Sequence, residues 1–345
     1  MGDETMRNLE TGRGKLVGWH DPDEHRAWVA QHKSRALEDK RTSVEDAVDA
    51  YVQDGDLLAC GGFGHIRVSM AAIYEIIRQG KRDLTLCGKT AVHDSDLLIA
   101  AGRVNRIEVA YAFGHELRGL SPASRRAAET GRCEVVAEIS NAGYQWRFSA
   151  AAMGLSFIPT RVMLGTDTLK RSSAKVVEDP FTGKPVTLLP ACYPDVVLMH
   201  VHRCDMHGNA QIDGITIEDF ELARAARRLM LTTEQIIDNE SIRTSPQDTI
   251  VPYYLVDAVV EIPYGAHPTL MPDLYYFDEQ HIGEWLRLSR TEAGVVEYMD
   301  RYVFGVDSFE DYLALIGGAE QLEYLRQVEH LEAPLEAPWL EEKRT

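Results

Sequence analysis

Five side chains that can bind a metal ion lie within eight residues of one another: His200, His202, Cys204, Asp205 and His207. At strand spacing the first two histidines and the cysteine point to one face, and two imidazoles with a thiolate could bind zinc. The alternative is a buried strand that runs into a turn at residues 205–209, where Asp, Gly and Asn have a conformational role. The spacing alone leaves both interpretations open.

Glycines and basic residues form a second candidate site after an apolar stretch at residues 57–60. This loop contains Gly61, Gly62, Phe63, His65 and Arg67. Paired glycines after a strand let a ligand approach the backbone, and their N–H groups can face an anion or a developing oxyanion. An ordinary turn is the alternative. His65 and Arg67 are candidates for anion contact, since guanidinium suits carboxylate or phosphate, although solvated residues at a helix start would have the same sequence.

The glycine spacing does not match the motifs that bind nucleotides. Gly61-Gly62-x-Gly64 is not a dinucleotide fingerprint, and no Gly-Lys-Ser/Thr opens the helix that follows. Gly88-Lys89-Thr90 has that tripeptide, but strand residues precede it directly, and no glycine stands five residues before it. Lys89 is instead expected at the end of a second strand, at the sheet edge where ligands bind in open α/β folds. A salt bridge to a nearby acid is the alternative for Lys89.

Alternating strands and helices must position these residues. Residues 57–60 and 84–87 are apolar stretches of strand length, and residues 70–77 between them repeat at helical spacing and end before Gly80. Such a strand–helix–strand unit requires a parallel pair of strands. Further strands are predicted at residues 106–113, 133–139, 162–164, 186–189, 196–202, 229–232 and 258–262. Further helices are predicted at residues 22–37, 44–52, 97–101 and 142–154, from residue 122 and from Asp278 onward.

The predicted fold class is therefore α/β, with an open, mostly parallel sheet, helices on both faces and a helical C-terminal part. The stretch DGDLLACGGF at residues 54–63, with the helix and strand after it, resembles the α subunit of class I CoA-transferases, most closely the glutaconate CoA-transferase branch. Further blocks with this resemblance lie at residues 97–104, 149–159, 205–210 and 256–268. The resemblance indicates an N-terminal extension at 1–41, a CoA-transferase α-subunit domain at 42–318, and a C-terminal helix and charged tail at 319–345.

This resemblance implies an enzyme that is inactive as a single chain. A glutamate of a homologous β subunit, in an α2β2 assembly, would attack an acyl-CoA and pass CoA between carboxylic acids, dicarboxylic or enoic ones by class. The resemblance favours the turn at residues 205–209, and it implies no metal and no tightly bound cofactor, with the CoA thioester as substrate. The residues expected to bind substrate or CoA are Gly61, Gly62, Phe63, His65, Arg67, Lys89, Asn141 and Gln145.

Two alternatives stay open beside the transferase. One branch of the family hydrolyses carbon–carbon bonds in ring-opened steroid CoA esters with an acid of the α subunit, shortly before an Ala-rich helix. An ungapped count places Asn141 there, which cannot act as a base, and Glu138 is the runner-up. Asn141 and Gln145 could instead cap that helix. The second alternative is a non-catalytic binding or scaffold subunit, because Arg67-Val68-Ser69 stands where the family usually has a proline.

Charge and composition narrow the class of partner. The 345 residues include 36 Lys and Arg against 54 Asp and Glu, a net charge of −18, which argues against nucleic acid or an anionic membrane as a partner. No apolar run approaches the roughly 20 residues that span a bilayer, and the N-terminus lacks the apolar region of a secretory signal. The five cysteines include no CxxC pair. We therefore expect a reducing, cytoplasmic location.

Overall fold

The computed structural model describes residues 7–337. Its strands are β1 Asn8–Thr11, β2 Leu57–Cys60, β3 Leu84–Thr90, β4 Val104–Tyr111, β5 Glu134–Glu138, β6 Phe157–Thr160, β7 Lys175–Glu178, β8 Pro185–Pro190, β9 Val196–Cys204, β10 Ala210–Gln211, β11 Arg228–Ile236, β12 Thr249–Val251 and β13 Ala258–Glu261. Its helices are α1 Pro22–His32, α2 Val44–Tyr51, α3 Met70–Gln79, α4 His93–Ala100, α5 Pro122–Glu129, α6 Asn141–Ala152, α7 Asp167–Arg171, α8 Asp219–Ala225, α9 Asn239–Thr244, α10 Glu279–Leu288, α11 Glu292–Met299, α12 Phe309–Leu315 and α13 Gly318–Glu329. The last part of the predicted charged tail lies outside the described residues.

Parallel pairing organises the main sheet. Seven strands follow one another in the order β13-β11-β9-β2-β3-β4-β5, each parallel to its neighbour. Two short strands, β10 and β12, extend the sheet in antiparallel pairing from the end of β9. Because all seven parallel strands run the same way, the loops after β2, β3, β4 and β5 emerge at one edge of the sheet.

The unit β2–α3–β3 forms as the sequence predicts. Leu58 packs into the core on one face of the sheet, whereas Leu57 and Ala59 pack on the other, as alternation along a strand requires. Gly80 ends α3 in the left-handed conformation with φ of 72°, which glycine adopts without steric cost. This crossover carries the chain from the end of β2 to the start of β3 and leaves the glycine loop at the carboxyl edge.

Apolar cores lie on both faces of the sheet. One contains residues of α2, α3, α4 and the C-terminal helices, with Trp285, Tyr298 and Tyr312 fully buried. The other packs α6 and α8 against the sheet. The predicted α/β fold with helices on both faces and a helical C-terminal part is confirmed.

A second, antiparallel sheet was not predicted. It has the order β1-β7-β8-β6 and joins residues near the N-terminus to residues 157–190. The strand predicted at residues 162–164 is wrong, because those residues form a turn in which Met163 has φ of +66°. The strand lies earlier, at Phe157–Thr160, and pairs with β8.

The N-terminal residues that the structure describes pack on this chain. Asp21 caps α1, which ends at His32 rather than at the predicted Leu37. The buried Lys33 ammonium lies 2.8 Å from an Asp257 carboxylate oxygen, and Lys40 donates to the carbonyl of Val256. The boundary between an N-terminal extension at 1–41 and the domain at 42–318 stays a prediction.

In residues 7–337, no helix combines the length and apolar character needed to cross a membrane.

Candidate active site

Lys89, at the carboxyl end of β3, is the centre of a group of polar side chains. Its ammonium lies 5.4 Å from the centre of the Phe63 ring and donates to Gln145 Oε1 at 3.0 Å. A carboxyl oxygen of Glu218 lies 3.6 Å from it. The structure therefore brings together three residues that the sequence proposed from separate segments, Phe63, Lys89 and Gln145, and adds Glu218, which the sequence analysis did not identify.

Helix α6 presents Asn141 and Gln145 to this edge of the sheet. Ser140 caps the helix by accepting from the Gly143 amide, so neither of the two predicted residues is the cap. The Thr90 hydroxyl donates to Asn141 Oδ1 at 3.3 Å, and the side chain of Asn141 is exposed. Gln145 Nε2 donates to the Ile217 carbonyl, which ties α6 to the segment before α8. Substrate contact by these two residues stays a prediction.

The amides of the paired glycines already have acceptors within the chain. The Gly61 amide donates to the Leu198 carbonyl at 2.8 Å, and the Gly62 amide donates to Asp219 Oδ1 at 2.9 Å. Gly62 has φ of +80°, and a Cβ there would clash with the carbonyl oxygen of Ile66. The loop therefore contributes a tight, fixed shape, and the oxyanion contact expected of these two amides would require them to leave their present acceptors.

Arg67 is turned into the protein. Its Nη2 donates to Asp219 Oδ2 at 2.6 Å and to the Ile215 carbonyl at 2.8 Å, and neither member of the ion pair is exposed. The backbone of Arg67 has φ of +56°, which proline cannot adopt. The pair therefore fixes the glycine loop to the start of α8. Direct anion contact by Arg67 stays a prediction, and Asp219 already balances its charge.

His65 is also buried and faces another imidazole. Its Nε2 lies 3.1 Å from His115 Nδ1, and only 1% of the residue is exposed. Burial lowers the pKa of His65 to about 4, so the ring is neutral at physiological pH. A neutral imidazole can donate a hydrogen bond to an anion but brings no positive charge. The anion contact predicted for His65 is therefore limited to a hydrogen bond.

Glu218 is the principal functional candidate that the sequence analysis missed. Burial raises the pKa of its carboxyl to about 8, although the neighbouring Lys89 acts in the opposite direction. Its Oε2 has no hydrogen-bond partner among residues 7–337. In the sequence, Glu218-Asp219 before a short apolar helix is typical of acids at a helix N-terminus, so no local signal distinguished it.

Glu138 lies apart from the Lys89 group. It ends β5, and its carboxylate forms an ion pair with Arg171 at 2.8 Å. The side chain remains 37% exposed. Glu138 is thus at the carboxyl edge of the sheet, as the hydrolase interpretation requires, but the group that its carboxylate contacts there is a surface arginine.

The candidate metal ligands His200, His202 and Asp205 form hydrogen bonds with other residues of this chain. His200 contacts Thr232 and Glu234 through its two ring nitrogens, and His202 contacts the Pro272 carbonyl and the Asp213 amide. Asp205 accepts from the amides at residues 207 and 209 and so closes the predicted turn. Within the described chain, the one group of three candidate metal ligands lies elsewhere, at His65, His93 and His115.

Comparison with known proteins gives the family. A family model for coenzyme A transferase matches residues 41–262. Among relatives with a named activity, the A subunit of glutaconate CoA-transferase from Acidaminococcus fermentans is 32% identical over 295 residues, covering 81% of this chain and 92% of that protein. The crystal structure of the glutaconate coenzyme A-transferase from that bacterium matches with a TM-score of 0.80 and 31% identity, covering 86% of this chain and 98% of its own. The cholesterol ring-cleaving hydrolase IpdA subunit of Rhodococcus jostii is 30% identical over 288 residues, covering 81% of this chain and 96% of that protein.

The chain therefore belongs to the coenzyme A transferase family. Within that family it is a class I α-type subunit, similar to the A subunit of members built from two kinds of chain. The resemblance identified in the sequence is confirmed, and so is the assignment to the CoA-transferase class of enzymes.

Proposed function

We propose that this chain is the α subunit of a heteromeric CoA-transferase that moves CoA between carboxylic acids, dicarboxylic or enoic ones by class. A homologous β subunit supplies the nucleophilic glutamate, and two copies of each chain form an α2β2 assembly. CoA enters as a thioester substrate, and the transfer itself needs no tightly bound cofactor. The similarity to the A subunit of glutaconate CoA-transferase supports this substrate class, and five free cysteines fit a cytoplasmic location.

The proposal is supported by the protonation of Glu218 and the contacts of Asp219, the two acids beside the glycine loop. With a pKa of about 8, Glu218 is mostly protonated at neutral pH, and a protonated carboxyl is a poor nucleophile. Asp219 is held between the Arg67 guanidinium and the Gly62 amide. Neither acid suits attack on an acyl-CoA carbonyl, which supports a mechanism in which the second subunit supplies the carboxylate of the acyl-glutamyl anhydride.

This chain contributes binding groups to that mechanism. The ammonium of Lys89 offers a positive charge to the carboxylate of the acid substrate. The neutral carboxyl of Glu218 beside it can donate a hydrogen bond to the same carboxylate. Phe63 lies against Lys89 and offers an apolar face to the acyl chain. Together these groups would orient the acid toward the nucleophile of the partner.

Trapping the covalent intermediate tests the proposal. The chain is co-expressed with a homologous β-type chain, and the complex is incubated with an acyl-CoA and then with borohydride or hydroxylamine. We expect mass spectrometry to find one modified glutamate on the partner chain and none on this one, and a sample without acyl-CoA is the control. Modification of this chain would overturn the division of roles, and a complex that leaves the thioester untouched would indicate a non-catalytic subunit.

A hydrolase or lyase reaction on a CoA ester is the second candidate function. Two observations favour it: a relative at 30% identity is a subunit of a ring-cleaving hydrolase, and the acidic residue Glu138 lies just before α6. If the protein is a transferase, Glu138→Gln should change turnover by less than about threefold, since the side chain pairs with a surface arginine. Glu134→Gln, on the same strand and in an exposed pair with Lys15, is the matched control. Two results together would favour the hydrolase. The wild-type complex would consume the thioester without any acceptor acid, and Glu138→Gln, but not the control, would lose nearly all of that activity.

A further inference from the structure

Three buried histidines meet beside the glycine loop. His65 follows β2, His93 begins the helix after β3, and His115 follows β4, so each comes from the carboxyl end of one of three adjacent parallel strands. None is more than 1% exposed. Their ring centres are 5.1 to 6.0 Å apart in pairs. We propose that these three imidazoles bind a divalent transition-metal ion, zinc by preference.

The spacing of the ring nitrogens suits such an ion. One nitrogen of each histidine lies within 4.8 Å of one nitrogen of each of the others. His65 Nε2 and His115 Nδ1 are 3.1 Å apart. Two imidazole nitrogens bound to one tetrahedral zinc at about 2.0–2.1 Å lie about 3.3 Å apart. A small movement of His93 toward the other two rings completes a set of three ligands and leaves a fourth position open.

A carboxylate holds the outward nitrogen of His115, and a second carboxylate lies near the outward nitrogen of His65, which has no hydrogen-bond partner in the described part of the chain. His115 Nε2 lies 3.0 Å from Asp96 Oδ2, and His65 Nδ1 lies 3.8 Å from a Glu116 oxygen. Asp96 is itself fixed, since it accepts from the Ser124 hydroxyl and from the Trp285 indole, each at 2.6 Å. Histidines that bind a metal usually donate their second N–H to a carboxylate or carbonyl in this way. The inward nitrogens of His65 and His115 are therefore the ones presented to an ion.

His93 distinguishes this cluster from an ordinary chain of hydrogen bonds. Its ring is fully buried, and neither ring nitrogen has a hydrogen-bond partner in the described part of the chain. Leaving a buried polar atom unpaired is unfavourable, because the atom has lost its water and gained no partner. The hydrogen bond between His65 and His115 pairs one nitrogen of each of those rings, but it leaves both nitrogens of His93 without a partner. A metal ion would give each of the three rings one bond, because it accepts a lone pair from a nitrogen of His93 as well.

The position suggests what the ion does. His65 lies two residues after Phe63, and the Gly64 amide donates to the Thr90 carbonyl, next to Lys89. An ion held by His65, His93 and His115 would join the glycine loop to the ends of β3 and β4 and so fix one wall of the Lys89 group. This runs against the absence of a metal that the family resemblance implied, and it rests on geometry rather than on the proposed transferase reaction.

Metal analysis of the full chain, purified without a histidine tag, tests the site. We expect about one zinc per chain by plasma mass spectrometry after growth with zinc. After removal by a chelator, Co²⁺ should restore the content and give the visible bands of tetrahedral cobalt with nitrogen ligands. A wild-type protein with less than about a tenth of an ion per chain that also fails to take up Co²⁺ would overturn the proposal.

Single variants test whether the ion binds at the histidine cluster. His93→Gln should lower the metal content at least about tenfold, whereas His202→Gln, a buried histidine outside the cluster, should keep it. Circular dichroism checks that both variants fold, and zinc should raise the melting temperature of wild type and of His202→Gln but not of His93→Gln. Equal retention by both variants, or an intense thiolate-to-cobalt band in the wild type, would place the ion elsewhere and overturn the assignment. Should His93→Gln not fold, the wild-type cobalt spectrum decides.

Discussion

Replacing Asp219 with alanine is expected to lower the free energy of unfolding by about 3–5 kcal/mol. The change leaves the Arg67 guanidinium buried without its counter-charge, in a position where neither side chain is exposed. It also removes the acceptor of the Gly62 amide. Both losses act on the loop that follows β2, so the variant should also lose activity in the complex. Chemical denaturation followed by circular dichroism measures the effect.

An exposed ion pair provides the comparison. Arg125 and Glu129 pair at 2.8 Å on α5 with both side chains more than 60% exposed, so Glu129→Ala should cost no more than about 0.5 kcal/mol. The double variant Arg67→Met/Asp219→Leu should recover much of the stability lost by Asp219→Ala, because it removes both charges of the pair and leaves neither buried alone. If Asp219→Ala were as mild as Glu129→Ala, the buried pair would not be what fixes the loop.

Local patterns in the sequence predict the parallel sheet well. The β2–α3–β3 unit combines an apolar strand, helical spacing and a terminal Gly80, all within about 35 residues. The second sheet has no comparable signal. Its strands β1 and β7 are paired from segments more than 150 residues apart, and the choice between residues 157–160 and 162–164 as the strand is made by pairing with β8. Pairing of this kind is decided by tertiary contacts and not by the segment itself.

The same contrast holds for the candidate site. Phe63, Lys89 and Gln145 follow predicted strands or lie on a predicted helix, and strand direction alone places them at one edge. Glu218 reaches that edge from a segment whose two acids look like ordinary helix-start residues. The histidine cluster escaped notice for a related reason: its members are more than 20 residues apart along the chain, and only the order of β2, β3 and β4 brings them together.

Glu218→Gln is expected to make the protein progressively more stable than wild type as the pH rises. The folded-state pKa of Glu218 is about 8, above the ordinary 4.5, because burial disfavours the charged carboxylate. Between these two values the folded chain holds a proton that the unfolded chain has lost, so the stability that Glu218 contributes is complete below pH 4.5 and disappears as the pH rises through about 8. Glutamine imitates the protonated form and keeps that stability at every pH.

The difference between variant and wild type should therefore be small at pH 4.5 and reach the order of 4 kcal/mol at pH 9, measured by denaturant unfolding across that range. Taking the difference removes the titration of all other groups. As a control, Glu134→Gln replaces an exposed carboxyl on β5 and should change stability by no more than about 1 kcal/mol. Parallel stability curves for Glu218→Gln and wild type would mean that the carboxylate is already ionised at neutral pH. In that case Glu218 could not donate a hydrogen bond to a substrate carboxylate, and the argument that the nucleophile comes from the partner would lose its main support.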